Sequence, residues 1–256
     1  MDDKKIERVE TGSNPIEFLT NGEDLSGCTL VTGFYGIGKI GFIAVNHMIQ
    51  KLGARRIGFV VTEYLPPFLS VRNDDLILPF EIYKVGNVVF LAAFFEPYKY
   101  EHRAFAKAVV QWAKTNRMSN AILIGGLDSR LRTEEEVLAK AVYTTMYREM
   151  FPAANVPSLD EGLYVTGPLA LLLMYCELYD FPGIAILPYA ERSRPDPIGA
   201  SHAVEIVNDL LGTDCGVEEL IKEAENIERE IQSMMDATEN LDDEKESSGA
   251  DRGMFL

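Results

Sequence analysis

The segment Gly33–Lys39 is the first place in the sequence where residue types and spacing could hold a phosphate. It has the GxxxxGK pattern of a P-loop, in which backbone amides and a helix N-terminus surround the anion and the lysine reaches it. A P-loop also needs Ser or Thr at the next position to bind Mg²⁺, and the residue there is Ile40. We therefore expect no working NTPase site.

The same segment contains a second pattern, Gly36-x-Gly38-x-x-Gly41, which is typical of dinucleotide-binding turns. Glu63 follows 22 residues after Gly41, at the end of the next predicted strand, where an acid would bind a ribose. Glycines also permit a tight strand-to-helix turn whatever is bound. We keep as the alternative function an α/β enzyme that binds a dinucleotide or nucleoside at these four residues.

No nucleophile, acid–base pair or metal site emerges from the other polar residues. His47 and His202 lie in predicted helices, and His102 lies near the start of one. Ser201 and His202 are neighbours on a helix, so their side chains point about 100° apart and cannot form a dyad. We expect no catalytic residue, no metal and no cofactor.

Short β-rich runs alternate with helical patterns over residues 1–212, which predicts one α/β domain with crossover helices. Strands are predicted at Cys28–Gly33, Ile57–Thr62, Ala121–Ile124 and Ile184–Leu187, the last ended by Pro188. Helices are predicted at Ile40–Leu52, His102–Thr115, Leu169–Leu178 and Ile198–Leu211, and a capping box at Thr133 and Glu136 predicts one more. A hairpin is predicted from Ile77–Tyr83 and Val88–Phe94.

The composition limits the kinds of partner. With 24 basic and 40 acidic residues the formal net charge is −16, which argues against nucleic acid and anionic membranes because both attract basic surfaces. No run of about 18 apolar residues occurs, so we expect no membrane-spanning helix. Three separated cysteines, Cys28, Cys176 and Cys215, offer no disulfide framework and suit a reducing cytoplasm.

A different pattern begins after Gly212 and covers residues 213–235. Apolar residues are spaced alternately three and four positions apart, and they are Val217, Leu220, Ala224, Ile227, Ile231 and Met234. This spacing predicts an amphipathic helix that either forms a coiled-coil seam between copies of the chain or docks on its own domain. Both alternatives stay open, because the seam covers only about two and a half heptads.

The last segment, residues 236–256, is predicted to be an acidic disordered linker with an apolar tip. From Thr213 onward the chain has 14 acidic and 4 basic residues, and Asp236–Ser248 lacks aromatic residues. The segment ends in Met254, Phe255 and Leu256. An apolar tip on such a linker has no core to join, so we interpret these three residues as a partner-binding element.

Four motifs in order resemble one family, and they are GFYGIGKIG (Gly33–Gly41), TEYLPPF (Thr62–Phe68), GLYVTGPLALLL (Gly162–Leu173) and SRPDPIGA (Ser193–Ala200). The family is that of proteasome-assembly chaperones of the second type, in its archaeal-like branch, and the resemblance covers nearly all of residues 14–211. It implies a three-layer α/β sandwich with a mostly parallel sheet, similar to purine nucleoside phosphorylases without their catalytic residues. The C-terminal helix and flexible tail follow this body.

The resemblance also implies a function without enzymatic activity. It points to a homo-oligomeric assembly chaperone or activator-like cap whose partners are proteasome α subunits or the 20S core particle. Family members that bind the α-ring end in a hydrophobic residue, a tyrosine and any residue. The present chain ends in Met254-Phe255-Leu256, so Phe255 occupies the tyrosine position and lacks its hydroxyl.

Overall fold

The computed structural model describes residues 5–11, 15–72 and 74–222, together with residues 226, 229, 231 and 233. The strands of this part of the chain are β1 (Lys5–Val9), β2 (Ile16–Thr20), β3 (Thr29–Gly33), β4 (Arg55–Val61), β5 (Ser70–Arg72), β6 (Asp75–Ile77), β7 (Phe80–Val85), β8 (Val88–Ala93), β9 (Asn120–Ile124), β10 (Leu127–Asp128), β11 (Ala139–Tyr143) and β12 (Gly183–Ala190). The helices are α1 (Ile40–Lys51), α2 (His102–Thr115), α3 (Thr145–Met150), α4 (Gly167–Leu178), α5 (Pro197–Leu211) and α6 (Glu218–Lys222).

One large sheet organises the fold. Its strands follow the order β1-β2-β4-β7-β8-β3-β9-β12-β10, and β11 also pairs with β12. Neighbouring strands from β8 through β3, β9 and β12 to β10 are parallel. Those from β1 to β8 are antiparallel, as is the β11–β12 pair. The strands β5 and β6 form a separate hairpin.

The predicted α/β fold is confirmed, but the sheet is mixed, so the expectation of a mostly parallel sheet holds for only one half of it. The predicted hairpin is present as β7 and β8, joined by Gly86 and Asn87. A two-residue connection joins only antiparallel strands, since a parallel pair needs a crossover of a dozen residues or more. The likeness to purine nucleoside phosphorylases stays a prediction.

Helices cover both faces of the sheet because its central strands are apolar on both. In β3, Leu30 lies in a hydrophobic cluster with residues of α2 and α4, such as Trp112. The next residue, Val31, points to the opposite face and lies in a cluster with residues of α1 and α5, such as Val204. Helices thus contribute to the hydrophobic cluster on each face of the sheet.

The prediction of a helix that begins at Thr133 is wrong. Residues 133–138 form turns and irregular backbone, and β11 follows directly. The Arg132 guanidinium donates hydrogen bonds to the carbonyl oxygens of Glu134 and Glu135, and the Val137 amide closes a turn on the Glu134 carbonyl oxygen at 3.3 Å. Pairing of β11 with β12 therefore decides the conformation of this segment over its local capping signal.

A buried ion pair fastens the antiparallel half of the sheet. Glu81 is fully buried, and its carboxylate accepts hydrogen bonds from the Arg56 guanidinium at 3.0 Å, the Leu78 amide at 3.0 Å and the Tyr83 hydroxyl. Arg56 also donates to the Leu76 carbonyl oxygen at 2.6 Å, which ties the β5–β6 hairpin to β4. A buried charge with this many partners is stabilising only while all of them remain.

Replacing Glu81 by alanine tests this network. We expect Glu81→Ala to lower the free energy of unfolding by about 3–5 kcal/mol, because it leaves the guanidinium of Arg56 without its buried partner. Urea denaturation measures the loss. Glu191→Ala, which removes an exposed ion pair with Arg194, is the control and is expected to cost about 0–1 kcal/mol. Equal losses in the two variants would contradict a structural role for the Glu81 network.

Candidate functional site

The glycine-rich turn between β3 and α1 uses two of its backbone amides internally. The Gly36 amide donates to the Phe34 carbonyl oxygen at 2.8 Å, and the Lys39 amide donates to the Gly36 carbonyl oxygen at 3.0 Å. A 3₁₀ turn, Ile37–Lys39, separates the strand from α1. A phosphate-binding turn presents free amides to the anion, and these two are already engaged.

Close packing explains the glycines of the turn. A Cβ on Gly41 would lie closer than 3.0 Å to the Ile124 carbonyl oxygen of β9, and a Cβ on Gly33 would meet the backbone of Gly41. Gly38 has a φ of 62°, and a Cβ there would lie 2.6 Å from the Ala190 side chain. Three of the four glycines in the segment are therefore required by the fold itself.

Lys39 interacts electrostatically with the Glu96 carboxyl group. It adopts a left-handed backbone conformation with a φ of 52°. Burial raises the pKa of the nearby Glu96 carboxyl, with His102 and Lys39 acting in the opposite direction. His102 Nε2 lies 3.4 Å from Glu96 Oε1 and 2.7 Å from the Pro97 carbonyl oxygen. The charge of the lysine in the GxxxxGK pattern thus acts on a carboxyl group of the protein itself.

Glu63 does not occupy the position that the dinucleotide pattern requires. It is exposed and follows β4, which is separated from β3 by β7 and β8. At about 4.8 Å between neighbouring strands, the ends of β3 and β4 are about 14 Å apart. In dinucleotide-binding sheets the acid ends the strand next to the glycine turn. The structure therefore does not bring Glu63 together with Gly36, Gly38 and Gly41.

The usual ligand position of an α/β sheet is filled by aromatic side chains. The neighbouring strands β3 and β8 lead to helices on opposite faces, α1 and α2, and such a switch point normally opens a ligand crevice. Here the Tyr35 ring stacks on Phe42 with centroids 4.2 Å apart, and Phe42 meets Phe94 edge-on at 6.2 Å. The Tyr35 hydroxyl donates to the Phe94 carbonyl oxygen at 3.4 Å, and burial raises its pKa. A ligand would have to displace this cluster.

The cysteine thiols are poor candidates for nucleophiles. All three cysteines are buried, and burial raises the pKa of Cys176 to about 12 and that of Cys215 to about 11. Their thiolates are therefore scarce at neutral pH. No group of three or more potential metal ligands occurs among the described residues. No helix within them is long and apolar enough to cross a membrane.

The start of the C-terminal segment is packed onto the domain. Leu220 of α6 is buried in the same hydrophobic cluster as α1 and α5, and so is Ile231 further along. Val217 is partly buried against that cluster. The described residues thus fit the docked alternative for this segment, and its role between copies of the chain stays a prediction.

Polar contacts hold the segment from the end of α5 through α6, which we refer to as the tail root (residues 212–222). The Asn208 side chain donates to the Cys215 carbonyl oxygen and accepts from the Cys215 amide, both at 3.0 Å, and it also accepts from the Thr213 hydroxyl at 2.8 Å. His47 Nε2 lies 2.7 Å from the Gly216 carbonyl oxygen, and an ion pair joins α1 to α6 through Lys51 and Glu219. The start of the C-terminal segment is therefore fixed against α1 and α5.

The remaining residues of the predicted partner-binding and seam sets lie outside the described part of the chain. These are Ala224, Ile227, Met234, Met254, Phe255 and Leu256. Their roles stay predictions.

The sequence indicates that Tyr64–Phe68 is an apolar loop made rigid by its prolines, either a ligand lip or a subunit contact, but it did not predict the aromatic surface that Tyr64 forms beside β4. Tyr64 and Tyr100 meet edge-on with ring centroids 5.0 Å apart, and Tyr98 stacks on Tyr100 at 5.4 Å. The Glu101 carboxylate fixes this arrangement by accepting from the Tyr64 amide at 3.1 Å and the Thr62 hydroxyl at 3.3 Å. The available signal was the pair of tyrosines around Lys99, but their partner is distant in sequence.

Comparison with known proteins gives a consistent result. The profile of the PAC2 family matches residues 30–235. Proteasome assembly chaperone 2 of Bos taurus is 22% identical over 230 residues, which cover 76% of this chain and 86% of the relative.

Two solved structures from Pyrococcus furiosus share the fold. PbaA, an archaeal homolog of proteasome-assembly chaperone, is 24% identical with a TM-score of 0.78, over 89% of this chain and 99% of PbaA. PbaB, an archaeal proteasome activator, is 19% identical with a TM-score of 0.66, over 92% of this chain and 100% of PbaB. At these identities the likeness establishes the fold.

The packing role of the glycine turn predicts unequal effects of alanine. Gly41→Ala is expected to lower the free energy of unfolding by about 1–3 kcal/mol through overpacking. Gly36→Ala is the control, because a Cβ there meets nothing within 4 Å, and it is expected to change stability by less than about 0.5 kcal/mol. Chemical denaturation measures both. Stabilisation of the parent by NAD that Gly36→Ala abolishes would instead favour the dinucleotide alternative.

The docking of the tail root predicts a contrast between adjacent residues. Leu220→Asp with Ile231→Asp is expected to release the segment after Gly212 while the domain stays folded, because both side chains are buried in its hydrophobic cluster. Limited proteolysis should then cut after Gly212 at least about tenfold faster, since local opening governs cleavage. Ile221→Asp is the control, as Ile221 is 52% exposed. Equal cleavage rates in all variants would show that the docking contributes nothing to order.

Proposed function

The chain belongs to the PAC2 family, and from this premise we propose that it is a non-enzymatic, homo-oligomeric proteasome-assembly chaperone or activator-like cap of the cytoplasm. It docks its C-terminal tails on the outer face of the proteasome α-ring. Its partners are thus proteasome α subunits or the 20S core particle, and further copies of itself. The family match over residues 30–235 is the observation that carries the proposal, since it spans most of the sheet and its helices.

The names of similar proteins support the proteasome as partner. The bovine relative is named as an assembly chaperone, and one Pyrococcus furiosus protein of the same fold is described as an activator. Both descriptions involve the proteasome, and they differ in the stage at which the protein acts. We therefore keep both roles in the proposal.

The filled crevice supports a function without catalysis. Tyr35, Phe42 and Phe94 occupy the place where α/β enzymes bind their ligands. Two amides of the glycine turn, those of Gly36 and Lys39, are engaged by its own backbone, and Glu63 is three strands away. These observations disfavour the dinucleotide alternative. They favour a function in which the outer surfaces and the tail bind protein partners.

The tip has the chemistry for insertion into a pocket between ring subunits. Enclosing the side chains of Met254 and Phe255 is worth about 1.5–3 kcal/mol each, and the terminal carboxylate of Leu256 can pair with a lysine. A single tail would bind weakly, because ordering each of its residues costs about 1–2 kcal/mol. Several tails on one oligomer bind more tightly, since the first contact raises the effective concentration of the others.

The fixed tail root suits this mode of binding. Asn208, His47 and Lys51 hold the start of the C-terminal segment on the domain, so each tail is attached at a defined place on the oligomer. An acidic linker over Asp236–Ser248 then gives the tip its reach. Defined starting points with flexible reach allow several tails to find equivalent pockets around a ring.

Deleting Met254–Leu256 tests the proposal. We expect the truncated protein to keep its unfolding temperature and oligomeric state, and its affinity for purified proteasome α-rings to fall at least about tenfold, or 1.4 kcal/mol. One residue added after Leu256 should weaken binding similarly, because it moves the carboxylate away from its cation. Surface plasmon resonance on immobilised α-rings measures both affinities.

Substitutions of Phe255 provide the matched control. Phe255→Tyr should keep or improve the affinity, because it restores a hydroxyl donor to an otherwise unchanged ring. Phe255→Ala should weaken binding, since it removes the apolar ring. Undiminished binding by the deletion variant would rule out the tail as the docking element and direct attention to the folded domain.

A further inference from the structure

Three tyrosines at the carboxyl edge of the sheet form the exposed end of a longer run of aromatic rings. We refer to Tyr64, Tyr98 and Tyr100 as the tyrosine surface. Tyr64 is 49% exposed and Tyr100 is 67% exposed, and their rings meet at 86° with centroids 5.0 Å apart. Tyr98 stacks on Tyr100 and continues the run to the buried ring of Phe95 at 6.0 Å. The exposed rings are therefore held in place by packing behind them.

The backbone that carries Tyr64 is fixed as well. Pro66 and Pro67 restrict the loop that follows it. The carboxylate of Glu101, a residue only 5% exposed, accepts hydrogen bonds from the Tyr64 amide and the Thr62 hydroxyl. This anchor uses the main chain of Tyr64, so it does not depend on the ring. A surface that is ordered in advance loses less conformational entropy on binding.

Two carboxylates give the tyrosine surface a negative electrostatic field. The charges of Glu63 and Glu101 raise the pKa of the Tyr64 hydroxyl, and Glu63, which is exposed, has the larger effect. Among the described residues, neither carboxylate forms an ion pair with a lysine, arginine or histidine. The neighbouring Lys99 is exposed, and its charge acts on Glu96. Exposed aromatic rings beside unpaired negative charge are the chemistry that recognises a cation.

Elsewhere in the molecule, tyrosine rings are covered by arginines of the same chain. The guanidinium carbon of Arg148 lies 4.6 Å from the ring centroid of Tyr143, and that of Arg132 lies 5.9 Å from the ring centroid of Tyr189. Within the part of the chain that the structure describes, no such cation lies over the ring of Tyr64. Tyr64 therefore offers to a partner the contact that the other two tyrosines make internally.

We propose that the tyrosine surface binds an arginine side chain of a partner protein, with the guanidinium stacked on the Tyr64 ring and paired with Glu63. Arginine fits better than lysine, because a planar guanidinium can stack on a ring and hydrogen-bond a carboxylate at the same time. The formal net charge of −16 favours such a partner, since it attracts basic protein segments before contact is made. This contact goes beyond the proposed function, because it uses the folded domain rather than the tail.

Binding of a short basic peptide to the full-length protein tests the inference. The probe is a fluorescein-labelled peptide of arginine, glycine and serine, and its anisotropy is measured in about 0.15 M salt, where charges more than about 8 Å apart are largely screened. Tyr64→Ala with Glu63→Gln should weaken binding at least about fivefold, or about 1 kcal/mol, the contribution of an exposed cation–π contact. Tyr64→Phe keeps an aromatic ring and should bind within about twofold of the parent.

Matched variants separate this site from a general effect of charge or of exposed rings. Tyr164→Ala with Glu205→Gln removes a ring that is 80% exposed and an exposed carboxylate elsewhere, and it should bind the peptide as the parent does. Both double variants should keep the circular dichroism and unfolding temperature of the parent, because the Tyr64 amide stays bonded to Glu101.

A second peptide isolates the role of the cation. Citrulline in place of arginine keeps the shape of the side chain and removes its charge, and this peptide should bind at least about fivefold more weakly. The variant that lacks Met254–Leu256 should bind the arginine peptide as the parent does, because the tail takes no part in the contact.

Three results would overturn the inference. If the parent does not bind the arginine peptide, the tyrosine surface is not a cation site. If Tyr64→Ala with Glu63→Gln binds as tightly as the parent, the net charge of the chain attracts the peptide rather than this surface. If the citrulline peptide binds equally well, the rings form an apolar contact without a preference for cations. Each of these results leaves the proposed function intact, since docking of the tail is measured separately on α-rings.

Discussion

Direct contact between two glycine backbones sets the position of α1 and, through α1, that of the tail root. Gly33 ends β3 and Gly41 lies in the first turn of α1, and a Cβ on either residue would collide with backbone atoms. The missing side chains let α1 lie directly on β3 and β9. Because α1 is held there, His47 and Lys51 at its far end reach Gly216 and Glu219. A turn with the pattern of a nucleotide site is thus a joint that positions the tail root.

Local sequence signals predicted the central elements well. The apolar run of β3 and the helical spacing of α1 and α2 were placed within one or two residues, because these patterns depend on neighbours along the chain. The roles of the glycines were not predictable in the same way. Gly41 is constrained by Ile124 and Gly38 by Ala190, and neither contact can be inferred without the strand order. Likewise, only the topology shows that Glu63 lies three strands from the glycine turn.

Pro188 shows how tertiary pairing overrides a local stop signal. The sequence predicted that it ends a strand, yet β12 continues to Ala190. Pro188 lies opposite Ala139 of β11, and the neighbouring Tyr189 amide makes the hydrogen bond to the Leu138 carbonyl oxygen at 3.1 Å. The proline therefore occupies a position where the ladder needs no amide from it. Position within the pairing pattern, rather than residue type alone, decides whether a strand ends.

Because of the direction in which α1 and α5 run, the tail root and the loops at the carboxyl edge of the sheet lie at opposite ends of these helices. Both helices follow parallel strands and run back from the carboxyl edge of the sheet to its amino edge. The tail root therefore lies about 18 Å, the length of α1, from the aromatic crevice and the loop that carries Tyr64. Among the described residues, loop side chains at the carboxyl edge such as Tyr64 share no partners with the tail root, so their substitution acts independently of it, whereas substitution of Gly33 or Gly41 acts on it through α1. The loops at the carboxyl edge can thus diverge in sequence and acquire new partners while the attachment of the tail is inherited unchanged.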